Sequence, residues 1–430
     1  MPSWVQAGLT TPAANETSLF VVLDTVDNTL KQADSNPQVV ISARAIARLR
    51  AGHVWVYRSD LEQAQDASPG ALVTVTDRRG KPFGTGLYSS ASQIAIRLLA
   101  RDGIASGQLL PLIRQRILDA LAFRHQTVRD SDAYRLIFSE ADLLPGLIAD
   151  RYGDLISLQV LTQAMDLDPV RETVTRTLAE ELRPAAIVER VDARIRELEQ
   201  LPPRQDQVVF AAEGSIAKTS TVFSMNGIRF HYDALAGQKS GAFLDQRENY
   251  AAAEHYGRGR ALDLFTYQGG FALHLNRVCE QVTAVDASLP ALQMAEKNSV
   301  LNGGREIEWI EANAFDLMRD YANAGRQYET IVLDPPAFAK SRRTQETAMR
   351  GYKELNLRAM KMLARGGVLV TCSCSFHVAE AEFIEMLLQA ANDVHREVRI
   401  LERRGQAKDH PVLLGVPETA YLKCVICQML

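Results

Sequence analysis

The chain has 430 residues, of which 47% are hydrophobic and 23% charged, and its formal net charge is −4. This composition excludes a disordered chain, a collagen and a coiled-coil rod, and at roughly 150 residues per domain the length predicts two or three domains. No stretch reaches the roughly 18 to 20 continuous apolar residues of a membrane helix, and the N-terminus does not have the layout of a secretory signal. Five cysteines form no disulfide framework. These features predict a cytoplasmic protein without a membrane partner.

The N-terminal quarter of the chain divides into an extension and a strand-rich block. Residues 1–37 are rich in small polar side chains and are predicted to be a weakly ordered extension. Residues 38–105 contain short β-type runs separated by glycine-bearing turns, which is typical of a small β-barrel. Between Val39 and Arg135, fourteen Lys and Arg stand against eight Asp and Glu. This block could bind a polyanion, although a solvated basic face explains the same excess.

The rest of the chain changes from a mixed pattern to a regular alternation. Residues 106–202 combine amphipathic helices with strands and predict a central α+β domain. Residues 203–430 begin with a hairpin-like stretch, 208–232, and continue with buried strands at 261–264, 282–285, 331–333 and 368–370. A helix at 290–301 lies between two of them. Strands and helices in alternation predict an α/β fold with a doubly wound, parallel sheet.

The ends of these strands carry residues suited to a nucleoside cofactor, because ligands of such sheets bind beyond the carboxyl ends of the strands. The first end, 263–271, contains Gly269 and Gly270, where backbone without side chains can approach a ligand closely. Its glycine spacing is not that of a nicotinamide dinucleotide site. Asp286 ends the second strand and could accept hydrogen bonds from both ribose hydroxyls, and Asn313 could reach an adenine edge. Each residue alone could be a turn or a cap, but together they predict S-adenosylmethionine (SAM).

Two further strand ends carry residues that could perform the chemistry. One is Asp334-Pro-Pro-Ala-Phe338, and the other is the segment 371–375, which contains Cys372 and Cys374. A thiolate that adds to carbon 6 of cytosine makes carbon 5 able to attack the SAM methyl group, and Asp334 would hold the amino group and N3 of the base. The thiols could also be packing groups, and their spacing alone does not choose between them.

Two alternatives remain open from these residues. The Asp-Pro-Pro motif is similar to that of methylases acting on exocyclic amines, although Phe338 comes one position later than in those enzymes. A binding module that kept the fold without the chemistry would look the same in sequence. The pair Cys424 and Cys427 has the spacing of a zinc or redox pair, but it has no second pair and lies in an apolar strand, so core packing and no metal site are predicted. The polar stretch 237–247 is predicted to be a lid over the cofactor.

As a set, the motifs from Val39 to the C-terminus resemble those of the bacterial large-subunit rRNA methyltransferases with an N-terminal PUA domain, the cytosine-C5 type acting on 23S rRNA. The segments that carry the resemblance lie at 52–56, 89–94, 142–146, 244–247, 265–271, 334–338, 351–353, 373–375, 409–412 and 421–423. The chain departs from the family at Asn313, where an aspartate is usual, and at Phe376, where a glycine is expected.

The resemblance implies a PUA barrel at 38–105, a central α+β domain at 106–202 and a class I SAM-dependent methyltransferase domain at 203–430. It implies Cys374 as the nucleophile, with Asp334 as its partner and Cys372 in reserve. The predicted cofactor contacts are Asp263, Phe265, Tyr267, Gly269, Gly270, Asp286, Asn313, Asp334, Gln246 and Arg247. The predicted RNA contacts are Arg342, Arg343, Arg350 and Lys353 together with the basic barrel. The implied partner is 23S rRNA or the large ribosomal subunit, and a homodimer is compatible with the family.

Overall fold

Three β-sheets and one hairpin follow one another along the chain in a computed structural model, which describes residues 36–64, 66–213, 218–235, 242–339 and 345–430. Residues 1–35, which make up most of the predicted extension, lie outside the described residues. Within those ranges, no helix is long and apolar enough to cross a lipid bilayer.

The first sheet has six strands in the order β2-β6-β5-β4-β1-β3 and one short helix. Its elements are β1 (Gln38–Ile41), α1 (Ala43–Arg50), β2 (Trp55–Tyr57), β3 (Leu61–Gln63), β4 (Leu72–Thr76), β5 (Pro82–Tyr88) and β6 (Ile94–Ala100). Ser42 caps α1 by accepting a hydrogen bond from the Ala45 amide. Alternating apolar residues of these strands form one buried cluster, as the short-strand pattern predicted.

Many arginines of the basic block are used inside the fold. Arg44 and Arg48 both pair with the buried carboxylate of Asp60, at 2.7 and 2.8 Å. Arg135 pairs with buried Asp150 at 2.8 Å. Part of the positive charge of this block is therefore paired inside the fold, which makes the excess a weaker indication of a phosphate-binding surface than the sequence suggested.

The second sheet forms the centre of the molecule, with five strands in the order β11-β10-β9-β8-β7. Its elements are α2 (Leu109–Thr127), β7 (Ala133–Phe138), β8 (Leu147–Tyr152), β9 (Leu155–Val160), α3 (Asp168–Leu182), β10 (Ala186–Glu189), α4 (Ala193–Leu198) and β11 (Gln207–Ala211). The prediction that 208–232 forms a hairpin was wrong in its first part, because β11 pairs with β10 and closes the central sheet. The hairpin itself joins β12 (Ser220–Met225) to β13 (Ile228–Asp233).

The third sheet has seven strands in the order β16-β15-β14-β17-β18-β20-β19, of which β16, β15, β14, β17 and β18 run parallel. Its elements are α5 (Arg247–Tyr256), β14 (Arg260–Leu264), α6 (Gly270–Leu275), β15 (Gln281–Asp286), α7 (Leu289–Asn302), β16 (Ile307–Glu311), α8 (Ala314–Asn323), β17 (Tyr328–Leu333), α9 (Gln345–Met362), β18 (Leu363–Ser373), α10 (Glu380–Asp393), β19 (Val398–Arg404) and β20 (Lys423–Met429). Strands β20 and β18 are antiparallel. Apolar clusters cover both faces of this sheet, which confirms the doubly wound architecture.

A buried carboxylate joins the central sheet to the third one. Asp409 accepts hydrogen bonds from the Arg247 guanidinium at 2.7 Å and from the Arg135 amide at 2.8 Å. Its own carbonyl oxygen accepts from Arg124 at 2.8 Å. Burial opposes ionisation of Asp409, but the charges of His410 and Arg247 outweigh it and hold the pKa of that carboxyl well below its ordinary value.

Replacing Asp409 by alanine is expected to cost about 3 to 5 kcal/mol of folding free energy, because it leaves the buried Arg247 guanidinium without its counter-charge. The measurement is the urea midpoint at pH 7.5 against Asp320→Ala, whose carboxylate is exposed. A lowered carboxyl pKa stabilises the fold above the pKa of the unfolded chain, and that stability is lost as pH falls through the lower folded value. The difference in urea midpoint between the parent and Asp409→Ala should therefore become smaller as pH falls below about 4. A difference that grows in acid would contradict this role.

Candidate active site

The carboxyl end of β14 forms a tight loop against the start of α6. Phe265, Tyr267 and Gly269 have positive φ angles of 66°, 51° and 86°. Gly269 is the residue before α6, and a Cβ there would lie 3.3 Å from the Trp309 ring. Such backbone conformations are costly for residues other than glycine and occur most often at functional sites. The loop therefore presents backbone to the space beyond the strand.

Asp286 closes this loop from the neighbouring strand. One carboxylate oxygen accepts from the Tyr267 amide at 2.9 Å, and the other accepts from the Ser288 amide at 2.9 Å. The carboxylate is half-buried, so lone pairs remain that can face a ligand. Asn313 caps α8 with its side-chain oxygen, accepting from Phe315 at 2.9 Å, and its amide nitrogen is the group suited to a nucleobase acceptor.

Asp263 lies deeper, inside β14. Its carboxyl is fully buried and accepts a hydrogen bond from the Thr266 hydroxyl at 2.5 Å. Its other oxygen has no hydrogen-bond partner among the described residues. Burial raises the pKa of Asp263 to about 7, because the charged form loses its hydration. A buried oxygen without a partner at this edge fits a cationic or hydrogen-bonding ligand group.

Asp334 follows β17 and is held by a side chain from the segment before α5. The Gln246 amide nitrogen donates to Asp334 at 2.9 Å, and the Gln246 oxygen accepts from Asn249 at 2.6 Å. Gln246 was predicted as a cofactor contact, but in the structure its side chain is hydrogen-bonded to Asp334. Arg247, predicted likewise, is 2% exposed and pairs with Asp409. Its guanidinium is committed to the buried ion pair because its side chain points into the core, so this prediction is corrected.

The two cysteines of the 371–375 segment differ sharply in environment. Strand β18 ends at Ser373, so Cys372 lies inside the strand, is fully buried and lies opposite Cys424 of β20. Cys374 follows the strand end, is half-buried, and its Sγ lies 3.9 Å from the carbonyl oxygen of Pro335. Asp334 acts on both thiols, but Cys374 is partly exposed and Cys372 is fully buried, so Cys372 as reserve nucleophile is corrected because its sulfur is enclosed in the core.

The thiol of Cys374 is less acidic than a free cysteine. Burial is the largest cause, the carboxylates of Asp334 and Asp245 add to it, and Lys423 opposes it, so that the pKa of Cys374 is raised to about 11. Burial and the neighbouring Cys424 raise the pKa of Cys372 well above its ordinary value. The Asp334 carboxylate and the Cys374 sulfur therefore act on each other electrostatically across the same cleft.

Of the predicted RNA contacts, the structure describes two. Arg350 and Lys353 lie on α9 on either side of Tyr352; Arg350 pairs with Glu346, and Lys353 pairs with Asp393 at 2.8 Å. Arg342 and Arg343 lie outside the described residues. So does the part of the predicted lid at 237–241, while its end is described: Phe243 packs its ring 5.1 Å from that of Tyr267.

Cys424 and Cys427 are buried in β20, one in each of the two apolar clusters on opposite faces of the sheet, which confirms them as packing groups. Sequence reasoning assigned no role to Tyr352, Ser375 or Lys423. A lysine that begins an otherwise apolar strand was the available signal, because a buried ammonium needs partners.

The fold and this strand edge define a class I, SAM-dependent methyltransferase. Residues 155–426 match the family model described as S-adenosylmethionine-dependent methyltransferase, and residues 39–101 match a PUA-like domain. A methyltransferase solved in complex with SAH covers 91% of this chain and 99% of its own, with a TM-score of 0.77 at 16% identity. A SAM-dependent methyltransferase from Streptococcus mutans gives a TM-score of 0.75 at 16% identity, with the same coverage. These two structures support the fold.

Two relatives are closer in sequence, and both are named "Ribosomal RNA large subunit methyltransferase I". The protein of Shewanella denitrificans is 34% identical over 385 residues, covering 88% of this chain and 95% of its own. That of Klebsiella pneumoniae is 33% identical over 404 residues, covering 92% and 98%. The chain belongs to this family of SAM-dependent methyltransferases, which confirms SAM as the cofactor.

Proposed function

We propose that this protein methylates carbon 5 of a cytosine in 23S rRNA, with Cys374 as the nucleophile. One observation carries the proposal: the half-buried Cys374 sulfur lies beside the Asp334 loop, at the same sheet edge as the Gly269 loop. The relatives modify large-subunit rRNA according to their names, which supplies the RNA class. A thiol next to a carboxylate suits carbon-5 chemistry, since direct attack by an exocyclic amine needs no cysteine.

The residues of the first two strand ends fit the cofactor. Asp286 would accept hydrogen bonds from a ribose, the Asn313 amide at the start of α8 would contact an adenine edge, and the unpartnered oxygen of Asp263 would accept from an ammonium group. When bound, SAM supplies an electrophilic methyl group. Phe265, Tyr267, Gly269 and Gly270 would line the loop over which the cofactor lies.

On the opposite side, the chain's own residues would act on the base. Asp334, fixed by Gln246, accepts hydrogen bonds from the cytosine amino group and, in protonated form, donates to N3. The Cys374 thiolate would add to carbon 6, and the electron pair moved to carbon 5 would take the methyl group as its bond to the sulfonium sulfur breaks and SAH is left. Loss of the carbon-5 proton to a base then expels the thiolate and restores the ring.

Substrate binding itself would activate the thiol. In the free protein the negative charges of Asp334 and Asp245 contribute to the high pKa of Cys374, so little thiolate forms at pH 7. A base that engages Asp334 and shares a proton with it removes much of that repulsion. Burial remains the largest cause of the high pKa of Cys374, but a larger fraction of the thiol is then ionised when cytosine is in place than in the free protein.

The RNA would approach over the start of α9. Arg350 is 77% exposed there, and Lys353 lies one turn further along. Their pairing with Glu346 and Asp393 leaves both cations at the surface, where they can exchange a carboxylate for a phosphate. Such contacts position the strand without reading its bases.

The deciding experiment uses 23S rRNA transcribed with cytidine tritiated at carbon 5. We expect one tritium released per methyl group transferred from SAM, and 5-methylcytidine as the modified nucleoside by mass spectrometry. Methylated exocyclic amines without tritium release would overturn the cytosine-C5 assignment in favour of amine methylation. Ribosomal subunits offered in parallel would show whether naked RNA or an assembled particle is the better substrate.

Cofactor binding gives a separate prediction. Asp286→Ala should weaken SAM binding by about tenfold to a hundredfold, because it removes a charged acceptor worth about 1.5 to 3 kcal/mol and frees the Tyr267 amide. Isothermal titration with SAH measures the effect. Asp316→Ala, an exposed residue on α8, serves as the control and should bind like the parent. Equal affinities for parent and Asp286→Ala would remove Asp286 from the cofactor site.

A further inference from the structure

Lys423 is a buried cation at the active-site end of β20. It is the first residue of that strand, is 9% exposed, and pairs in register with Ser373 at the end of β18. Its ammonium donates to the Ser375 carbonyl at 2.6 Å and to the Tyr421 carbonyl at 2.8 Å. A buried ammonium is costly, so its place beside the segment 373–375 needs a reason beyond packing.

Ser375, the residue that directly follows Cys374, is in contact with three separate parts of the fold. Its hydroxyl bonds to the Tyr352 hydroxyl of α9 at 3.0 Å and accepts from the Ala339 amide of the Asp334 loop at 3.1 Å. Its carbonyl is held by Lys423 of β20. The Cys374 backbone is thereby fixed relative to the Asp334 loop, because both attach to one fully buried serine.

We propose that Lys423 is a positioning residue for Cys374: through the Ser375 carbonyl it fixes the turn that aims the sulfur, and its charge stabilises the thiolate. This role rests on the proposed function. Among the described residues, the hydrogen bonds of the ammonium go to two carbonyl oxygens and to no carboxylate, so its positive charge can act on the neighbouring sulfur as well as on Glu380 and Glu382. The residues of β20 that follow Lys423 are apolar or thiols up to Gln428, so the packing of this strand does not require a charge at its start.

The electrostatics agree with this geometry. Lys423 lowers the pKa of Cys374 against burial and two carboxylates, and burial lowers the pKa of Lys423 itself to about 8, with Cys374 acting in the opposite direction. Other titratable groups act on this pair. Those facing Cys374 are Asp334, Asp245 and Tyr352, and those facing Lys423 are Glu380 and Glu382 of α10.

The test measures alkylation of Cys374 by iodoacetamide between pH 6 and 10 in the full chain, with peptide mapping to locate the label. The other four cysteines are buried, so Cys374 should react first. Lys423→Met removes the charge and both donors, Lys423→Gln keeps a donor without charge, and Lys423→Arg keeps the charge. Lys361→Met, an exposed lysine near the end of α9, is the matched control.

We expect Lys423→Met and Lys423→Gln to be alkylated about tenfold more slowly than the parent at pH 7, where the Lys423 ammonium is mostly charged, as for a thiol pKa raised by about one unit. Lys423→Arg and the control should follow the parent. Single-turnover methyl transfer should fall at least tenfold in Lys423→Met with unchanged SAM affinity, and less in Lys423→Gln because the Ser375 carbonyl keeps a donor.

Parent-like alkylation of a folded Lys423→Gln would overturn the role of the charge. If Lys423→Met does not fold, the comparison of Lys423→Gln with Lys423→Arg decides the matter alone. The alkylation arm needs neither RNA nor SAM. A parent protein that fails to methylate cytosine would therefore refute the proposed function, while the alkylation profiles would still show whether Lys423 acts on the sulfur.

Discussion

Cys374→Ala should lose cytosine methylation by a factor of at least about a thousand, because removing a covalent nucleophile leaves only binding and orientation to assist the reaction. Single-turnover methyl transfer with labelled SAM on 23S rRNA is the measurement. SAH binding and the urea midpoint should remain those of the parent, since the half-buried sulfur is not part of the core.

The matched control is Cys372→Ala, two residues earlier in the same segment. Its thiol packs inside the core beside Cys424, so the variant should methylate within a few-fold of the parent. RNA containing 5-fluorocytidine adds a direct readout. Its carbon 5 carries fluorine in place of the proton that a base must remove, so the thiolate is not expelled and the covalent adduct persists. A denaturation-resistant protein–RNA complex in Cys374→Ala, or its absence in the parent, would refute Cys374 as the attacking group.

Asp334→Asn should change two measurements in opposite directions. Methyl transfer should fall by about a hundredfold to ten-thousandfold, because an amide cannot exchange a proton with the base. Alkylation of Cys374 at pH 8 should become faster, because the substitution removes a carboxylate that raises the pKa of the thiol. An unspecific distortion of the cleft would not produce both changes.

The exposed residue Asp320 provides the control for this variant, since Asp320→Asn should leave both rates unchanged. If Asp334→Asn slows alkylation, Asp334 does not act on Cys374 through its charge. If it methylates at the parent rate, the carboxylate has no part in holding the base. The two measurements thus separate the electrostatic role of Asp334 from its contact with the substrate.

The periodic parts of the chain were predictable because their signal is local. Buried runs at 261–264, 282–285, 331–333 and 368–370 mark strands of the third sheet, which the structure extends by one, two, three and eight residues, respectively. Short apolar runs typical of buried strands alternate along the sequence with segments of helical periodicity, and this order predicts the architecture. Strand β11 was misassigned because its partner, β10, is chosen by tertiary packing, and nothing in residues 207–211 distinguishes a hairpin from a sheet edge.

The candidate site was only partly predictable, because charge and burial depend on neighbours distant in sequence. Asp409, which pairs with the Arg247 side chain, lies 162 residues after Arg247 in the sequence. The choice between Cys372 and Cys374 depends on β18 ending at Ser373, a boundary that a run of small residues does not reveal. The partners of Ser375 come from three separate elements, so only the assembled fold shows them together.

The carboxylate of Asp409 also bears on how the protein can be divided. A fragment beginning at residue 203 would keep Arg247 and Asp409 but lose the Arg135 amide and the Arg124 guanidinium that complete the junction. Water would then reach the pair of Arg247 and Asp409. Arg247 directly follows Gln246, the residue whose side chain orients Asp334. A minimal catalytic fragment would therefore need the middle sheet, and that sheet shares one buried apolar cluster with Leu72, Leu87 and Leu99 of the first sheet.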